Sequence, residues 1–246
     1  MAVQRHYPKA PITEAIIDLR VELTDGVTVG DLESVHVGQE SAYPTKRNIT
    51  RAVLQGQIGD QGAAAAASSK PIGFLFTSQD EKQVFQVRLD GFTMSRLAPY
   101  ERWEPFRDEA HRLWDVYRSV ANPKKVVRLA VRYVNRLNLP LPFGDFKEYL
   151  KTVPEVSPEL PQGLAGFFMQ LAIPQEDIKS VALLNEAIIE PTVPNTVSVV
   201  LDIDVFRTDD LPYGEDGVWA FFETLRDRKN EVFEACITDR ARELFE

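Results

Sequence analysis

Alternation of apolar and polar residues is the feature that most restricts what this chain can fold into. Residues 12–23, ITEAIIDLRVEL, place Ala15, Ile17, Leu19 and Val21 on one face and mostly charged residues on the other. Successive side chains of a β-strand point to opposite faces, so the pattern predicts a half-buried strand. Six further stretches are typical of strands: 71–78, 83–97, 128–140, 165–173, 178–189 and 195–207.

Two long helices are predicted between and after these strands. The first lies within residues 98–123, where Trp103, Phe106 and Leu113 share an apolar stripe and the pair Asn122-Pro123 ends the helix. The second, GVWAFFETLRDRKNEVFEACI, closes the chain. Short helices are expected near 28–38, 143–150 and 239–245. Strands followed by helices predict an α+β fold.

One stretch between the strands has a different composition. Residues 56–70, GQIGDQGAAAAASSK, are low in complexity and offer no apolar partner face for their alanine run. Such a segment gains little from ordering. We expect a mobile loop there that tolerates deletion.

The two halves of the chain follow the same order of elements. A single offset of 116 residues places Trp103 on Trp219 and Arg20 on Arg136, and it also aligns the strands that precede the long helices. An even offset keeps the apolar face of every strand. The sequence therefore predicts two duplicated modules, 1–122 and 123–246. Each is expected to be an antiparallel sheet packed by a long C-terminal helix, and the two sheets share an interface or form one continuous sheet. The two tryptophans are predicted to be buried at equivalent positions.

Composition narrows the class of protein. The 246 residues carry a formal net charge of −9, with a pI near 5.0. This charge disfavours broad nucleic-acid binding, which needs clustered Lys and Arg. No stretch approaches the ~18 apolar residues of a membrane helix, and the start lacks a signal peptide. Cys236 is the single cysteine, which fits a reducing compartment. We therefore expect a cytoplasmic protein outside the membrane.

Motifs for catalysis or cofactor binding are absent from the sequence. There is no Walker loop, GxGxxG, GxSxG or HExxH. His6, His36 and His111 are far apart, and Cys236 has the spacing of a buried small hydrophobe. We expect no catalytic residue, no metal ligand and no cofactor, and whether the protein is an enzyme stays open, with a non-enzyme favoured.

The stretch RLAVRYVNRLNLP, residues 128–140, raises the main question about function. Its arginines share the face opposite the apolar one. They can fix strand register by pairing with acids across the sheet, from Glu14, Asp18 and Glu22 of the first strand. They can instead bind an anion, because guanidinium groups suit phosphate and carboxylate. The candidate anion-binding residues are Arg20, Arg88, Arg128, Arg132 and Arg136.

Two of these arginines are singled out. Under the 116-residue offset Arg136 is matched by Arg20, and two arginines that approach each other repel unless an anion lies between them. For Arg128 and Arg132 we favour ion pairs with a structural role.

A pair of acids on a later strand also allows two interpretations. Asp202 and Asp204 share one face of the stretch LDIDV. Two carboxylates at this spacing can bind a divalent cation or act in acid–base chemistry. The favoured interpretation is a solvated strand face, or pairing with Arg128 or Arg132.

Four stretches together resemble one family: APITEAIIDLR, DGFTMSRLAPYERWEPF, VRYVNRLNLPL and RDRKNEVFEACITDRARELF. It is a sporadically distributed family of bacterial proteins, about 250 residues long, defined by sequence and without an assigned activity. The resemblance implies a single-unit protein and supplies no catalytic residue. Sporadic distribution is typical of horizontally transferred genes, such as toxin–antitoxin or phage-defence genes.

The expected function is therefore a non-enzymatic binding or accessory protein. It would act with a macromolecular partner, most plausibly a protein, in a bacterial mobile or phage-defence system. The alternative is a small-anion or nucleotide binder, or an enzyme, that uses an arginine-lined cleft between the modules. A homo-oligomer is compatible with either.

Overall fold

A computed structural model describes residues 5–59, 62–212 and 214–246, with side chains outside 52–68. The fold is α+β, as the alternation predicts, with nine strands and long helices α1 (Trp103–Ala121) and α2 (Gly214–Cys236). The strands are β1 (Ile12–Leu23), β2 (Thr45–Gly59), β3 (Gly62–Thr77), β4 (Gln83–Arg88), β5 (Gly91–Leu97), β6 (Pro123–Pro140), β7 (Phe168–Gln175), β8 (Ser180–Ile189) and β9 (Thr196–Arg207). The short helices are α3 (Asp239–Arg242) and the 3-10 helices Asp31–His36, Phe146–Glu148, Glu176–Ile178 and Glu243–Phe245.

The strands form one antiparallel sheet in the order β2-β3-β4-β5-β1-β6-β9-β8-β7. Strands β2 and β7 are therefore its two edges. Among the residues that the structure describes, no helix combines the length and apolar character that a membrane span requires.

The chain divides into two compact units. The larger unit comprises residues 1–17, 96–102 and 128–246, and the smaller unit comprises residues 18–95 and 103–127. Strands β1 and β6 contribute residues to both. The division into modules 1–122 and 123–246 stays a prediction.

The core of the smaller unit is aromatic. Phe92 contacts Trp114 edge-on with ring centroids 6.1 Å apart, and Phe85 stacks on Phe76 at 4.7 Å. Tyr117 of α1 is fully buried and its hydroxyl donates to the Arg88 carbonyl at 2.9 Å. The apolar stripe predicted for this helix is the face that is buried.

In the larger unit the period-2 pattern of the sequence places the core. Leu129, Val131 and Tyr133 of β6 are buried on one face, and Leu184 of β8 lies opposite Ile203 of β9. Helix α2 packs along β9 and buries its own apolar residues, which include Trp219, Phe222 and Leu225.

The loop predicted at 56–70 is wrong. Residues 56–59 end β2 and residues 62–70 belong to β3, with Gln57 opposite Ala64 in an antiparallel ladder, while residues 60 and 61 lie outside the described residues. Pairing along a hairpin satisfies the backbone polar groups of a sequence whose side chains give no strand signal. The tolerance of this segment to deletion stays a prediction.

The stretch predicted as one strand at 83–97 is two strands. The chain turns at Leu89 and Asp90, between β4 and β5, and Gly91 is the first residue of β5. Gly91 has φ of +154°, and a Cβ at this position would lie 2.2 Å from the Leu19 carbonyl oxygen. Only glycine lets the turn approach β1 so closely.

Candidate functional site

Two of the predicted arginines, Arg20 and Arg88, meet in the smaller unit around Asp18 of β1. The Asp18 carboxylate accepts from Arg20 Nε at 3.0 Å, from Thr93 Oγ1 at 2.6 Å and from Arg88 Nη2 at 3.4 Å. Arg88 Nη2 also donates to Thr93 Oγ1 at 2.9 Å. Asp18, Arg88 and Thr93 are all buried. Buried charges need partners of this kind, so the cluster ties β1, β4 and β5 together.

A second carboxylate, that of Asp90 in the β4–β5 turn, lies close to three guanidinium groups. It accepts from Arg20 Nη1 at 3.0 Å and from Arg88 Nε at 3.1 Å, and Arg51 Nη2 lies 3.6 Å away. Arg88 also donates to Gln86 Oε1 at 2.6 Å, so all of its nitrogens are engaged. Asp90 and the arginines Arg20 and Arg51 are partly exposed. Three arginines and two aspartates leave this cluster one positive charge.

In the larger unit, two arginines of β6 pair with the acids of β9. Arg132 binds Asp202 through both Nε and Nη2, each at 2.7 Å, and Arg128 Nη2 donates to Asp204 at 2.6 Å. Asn185 Nδ2 of β8 donates to the same Asp202 carboxylate at 3.1 Å. The hydrogen bonds to Asp202 raise the pKa of Arg132 further above its ordinary value. The acids of LDIDV thus neutralise arginines, the interpretation favoured for them above.

The acids predicted from β1 as partners of these arginines differ in their contacts. Asp18 belongs to the Arg20–Arg88 cluster, and Glu22 pairs with Lys125 at 3.1 Å. Glu14 acts on Arg132 only through its charge, behind the larger effects of the β9 acids. The β9 acids reach the β6 arginines because β9 lies beside β6, with Arg132 opposite Asp204 and Val134 opposite Asp202. Pairing of the β1 acids with the β6 arginines stays a prediction.

Arg136 has different surroundings. Its Nη1 donates to Thr192 Oγ1 at 3.2 Å, and no carboxylate of the described residues lies within salt-bridge reach. Arg20, its predicted partner in an anion site, is already paired with Asp18 and Asp90. The structure therefore groups the five arginines as Arg20 with Arg88, and Arg128, Arg132 and Arg136 along β6. An anion site at these residues stays a prediction.

A buried lysine was missed by the sequence reasoning. Lys229 of α2 is buried, its Nζ lies 3.6 Å from the centre of the Tyr133 ring, and it donates to Asn230 Oδ1 at 2.5 Å. Burial, and then the charge of Arg226, lowers the pKa of Lys229 to about 7. The Tyr133 hydroxyl shares a hydrogen bond with Tyr100 at 2.6 Å.

A buried acid was missed as well. Glu186 of β8 is 0% exposed, and neither carboxylate oxygen has a hydrogen-bond partner among the described residues. Burial raises the pKa of Glu186 to about 7. The nearby Cys236 thiol is buried too, and burial followed by the Glu186 charge raises the pKa of Cys236 to about 12. The prediction that Cys236 packs as a small hydrophobe is confirmed.

Periodicity held a signal for both groups. Lys229 is seven residues after Phe222 and four before Phe233, on the apolar stripe of α2. Glu186 follows Ala182 and Leu184 on the buried face of β8. A charged residue at such a position is normally exposed or paired, so each departs from the common pattern.

The exposed apolar side chains are concentrated in the larger unit. Of the six large ones among the described residues, five lie there and Val37 alone lies in the smaller unit. The five are Leu141, Leu160, Phe168, Ile173 and Val193. Leu141 follows β6, Phe168 begins β7 and Val193 lies between β8 and β9, so these three residues, called here the apolar surface, are at one end of the antiparallel strands. The Leu141 N–H donates to the Asn195 carbonyl at 2.9 Å, which joins the two turns.

Strand β7 gives this surface an open backbone edge. It is last in the sheet and, within the described part of the chain, pairs with β8 alone, with Phe168 opposite Ala187. The Ile188 N–H donates to the Phe167 carbonyl at 3.2 Å, so the backbone N–H and carbonyl groups of Phe167 face β8. Along an antiparallel strand, backbone groups face the partner strand at every second residue. The backbone groups of the residues between them therefore point outward, at Phe168, Gln170, Ala172 and Pro174. Pro174 fits this assignment, because proline is tolerated in strands where its nitrogen faces solvent.

Neither a scan against protein-family models nor a search of curated proteins found a match for this chain. Its function is therefore inferred from its own residues and contacts.

Proposed function

We propose that this protein is a non-enzymatic binding protein that acts with a protein partner through the apolar surface of its larger unit. The observation that carries the proposal is the position of three exposed large apolar side chains, Leu141, Phe168 and Val193, at one end of the strands of that unit. Scattered apolar residues are ordinary on protein surfaces, whereas a local group of them is typical of interaction sites.

The ionic clusters support this proposal over catalysis. The guanidinium groups of three arginines form salt bridges within the fold. Arg88 pairs with Asp18 and Asp90, Arg128 pairs with Asp204, and Arg132 pairs with Asp202. Cys236 is buried with a raised pKa, so little of it is the reactive thiolate at neutral pH. These four side chains are thus engaged in the fold or shielded from solvent.

The resemblance to a sporadically distributed bacterial family supplies the cellular setting of the proposal. We place the partner in the cytoplasm, in a mobile or phage-defence system. The acidic balance of the chain favours a neutral or basic partner surface over nucleic acid.

Copurification with matched variants tests the proposal. We expect tagged wild-type protein to capture a partner from its native host. The double variant Leu141→Asp, Val193→Asp should capture at least tenfold less of that partner. Val37→Asp is the control, because Val37 is 71% exposed and lies in the smaller unit. Equal capture by the double variant, or no partner for the wild type, would overturn the proposal.

A second candidate function is binding of a small anion or nucleotide, or an enzyme built on such a site. It is favoured by the convergence of Arg20, Arg51 and Arg88 on the Asp90 carboxylate, with Arg20 and Arg51 partly exposed. A ligand carboxylate or phosphate could replace Asp90 there. Thermal-shift titration with phosphate and nucleotides tests it. Asp90→Asn should strengthen the response, and a response absent from both proteins counts against the site.

We also propose that the chain arose by duplication. In support, each half has a leading strand, a short 3-10 helix, further strands and a long helix, and Trp103 and Trp219 are both buried. The halves differ by one strand. By position in the sheet, β5 beside β1 corresponds to β9 beside β6. The constant offset of 116 residues instead matches β4 to β9, so the alignment of the two halves needs a gap there.

A further inference from the structure

We propose that the outer edge of β7 pairs with β7 of a second copy of this chain, in an antiparallel ladder centred on Gln170. The inference rests on the proposed function, which makes this region a protein-binding surface, and it names the occupant of the strand. Unpaired edges are usually protected by charge, by proline, by a bulge or by a covering element. Strand β7 has no charged residue, and its one proline, Pro174, lies next to the last residue of the strand.

The outward backbone groups of β7 are self-complementary in one register. With Gln170 opposite Gln170 of the second copy, Phe168 lies opposite Ala172 and every outward N–H meets an outward carbonyl. These donors are Phe168, Gln170 and Ala172, three from each copy. Pro174 lies beyond them. A register centred on Leu171 would place Pro174 opposite Phe168 and lose a hydrogen bond, because proline has no N–H.

The side chains fit the same register. Residues of like parity in a strand share a face, so Phe168 would pack over the small Ala172 of the second copy. Phe168 is 71% exposed in the single chain. On the opposite face, Met169 of one copy would lie beside Leu171 of the other, where both are half-buried now. Pairing therefore covers apolar area on both faces.

The distribution of charge also favours contact between two copies at β7. Each copy carries −9, and like charges disfavour contact over most surfaces. Residues 160–175 contain no Asp, Glu, Lys or Arg. Two acidic chains can meet along this segment without opposing charges.

Site-directed crosslinking tests the register. Residues opposite each other in a hydrogen-bonded antiparallel pair have Cα atoms about 5.5 Å apart, within disulfide range. Under mild oxidation Gln170→Cys should form a covalent dimer at least tenfold faster than Ala172→Cys. Ala172→Cys should crosslink when mixed with Phe168→Cys. The native Cys236 is buried, so it can be kept in all three variants.

Sedimentation measures the assembly without new thiols. The wild type should sediment as a dimer of the 27.8 kDa chain, and Ala172→Pro as a monomer with an unchanged melting temperature. Its N–H faces away from β8, so the fold tolerates the proline.

A monomeric wild type, or equal crosslinking at positions 170 and 172, would overturn the pairing. Leu141 and Val193 lie outside the ladder, which separates the two proposals. If their double variant loses the partner while the wild type is monomeric, the proposed function stands and the β7 pairing fails. If the dimer forms and no partner is captured, the proposed function fails.

Discussion

Arg132 and Arg136 lie four residues, or two strand repeats, apart on the same face of β6, yet their surroundings differ. Arg132 holds Asp202, a buried carboxylate, by two hydrogen bonds of 2.7 Å. Among the described residues, the Arg136 guanidinium donates to the Thr192 hydroxyl and pairs with no carboxylate. Removing one partner of a pair costs most where it leaves a buried charge behind.

We therefore expect Arg132→Ala to lower the free energy of unfolding by about 1–2 kcal/mol, discounted because Arg132 is itself partly exposed. Arg136→Ala should change it by less than about 0.5 kcal/mol. Urea denaturation of both variants checks this. Adding Asp202→Asn to Arg132→Ala should recover part of the lost unfolding free energy, because it removes the unpaired Asp202 charge. No recovery would show that this unpaired charge was not the cause of the loss.

Glu186 predicts a pH dependence. Its folded-state pKa of about 7 lies above the ordinary 4.5, so the folded protein binds more protons between these values. The free energy of unfolding must then fall as pH rises from 4.5 through 7. Glu186→Gln should match the wild type near pH 4 and exceed it by roughly 2–3 kcal/mol above pH 7. The exposed Glu190→Gln is the control, and a constant difference at all pH values would contradict the buried ionisation.

At the scale of elements, each long helix carries a buried tryptophan near its start. Trp103 of α1 and Trp219 of α2 are both buried. Within each helix the tryptophan also contacts the phenylalanine three residues later, Phe106 with ring centroids 6.0 Å apart and Phe222 at 5.1 Å. Burial of an apolar helix face against the rest of the protein supplies most of a helix's stability.

Trp103→Ala and Trp219→Ala should each cost about 3–5 kcal/mol of unfolding free energy, because a large buried side chain leaves a cavity. Chemical denaturation monitored by circular dichroism measures the loss. Replacement by Phe should cost clearly less. A loss below about 1 kcal/mol at either position would mean that the helix is not held there.

At the scale of the whole molecule, two buried charges in the larger unit shape stability in opposite directions. Glu186 lowers stability as pH rises from 4.5 through 7. Lys229 has a folded-state pKa of about 7, below the ordinary 10.5, so the unfolded chain binds more protons between 7 and 10.5. Its contribution to stability grows with pH across that window and is lost as pH falls through 7.

The two penalties overlap near neutral pH. The double variant Glu186→Gln, Lys229→Met should therefore gain most over the wild type near pH 7 and less toward pH 4 and pH 10. Thermal melts across this range give the difference curve. A gain that rises steadily toward either extreme would show that only one of the two groups titrates as described.

Local pattern by itself determined most of the secondary structure, except β2, the first part of β3 and the break between β4 and β5, and it determined the buried faces of the elements that it placed. Alternation placed β1, β6 and β9, and helical periodicity placed α1 and α2, because side-chain direction within an element depends on its own period. The same patterns put Lys229 and Glu186 on buried faces, although their meaning was clear only once burial was known. What only the tertiary structure decided was partnership. Asp202 and Asp204 reach the β6 arginines because β9 lies beside β6, residues 62–70 form a strand because β2 pairs with them, and β7 is open because it comes last. Strand order is set by contacts between residues distant in sequence, and no local period encodes it.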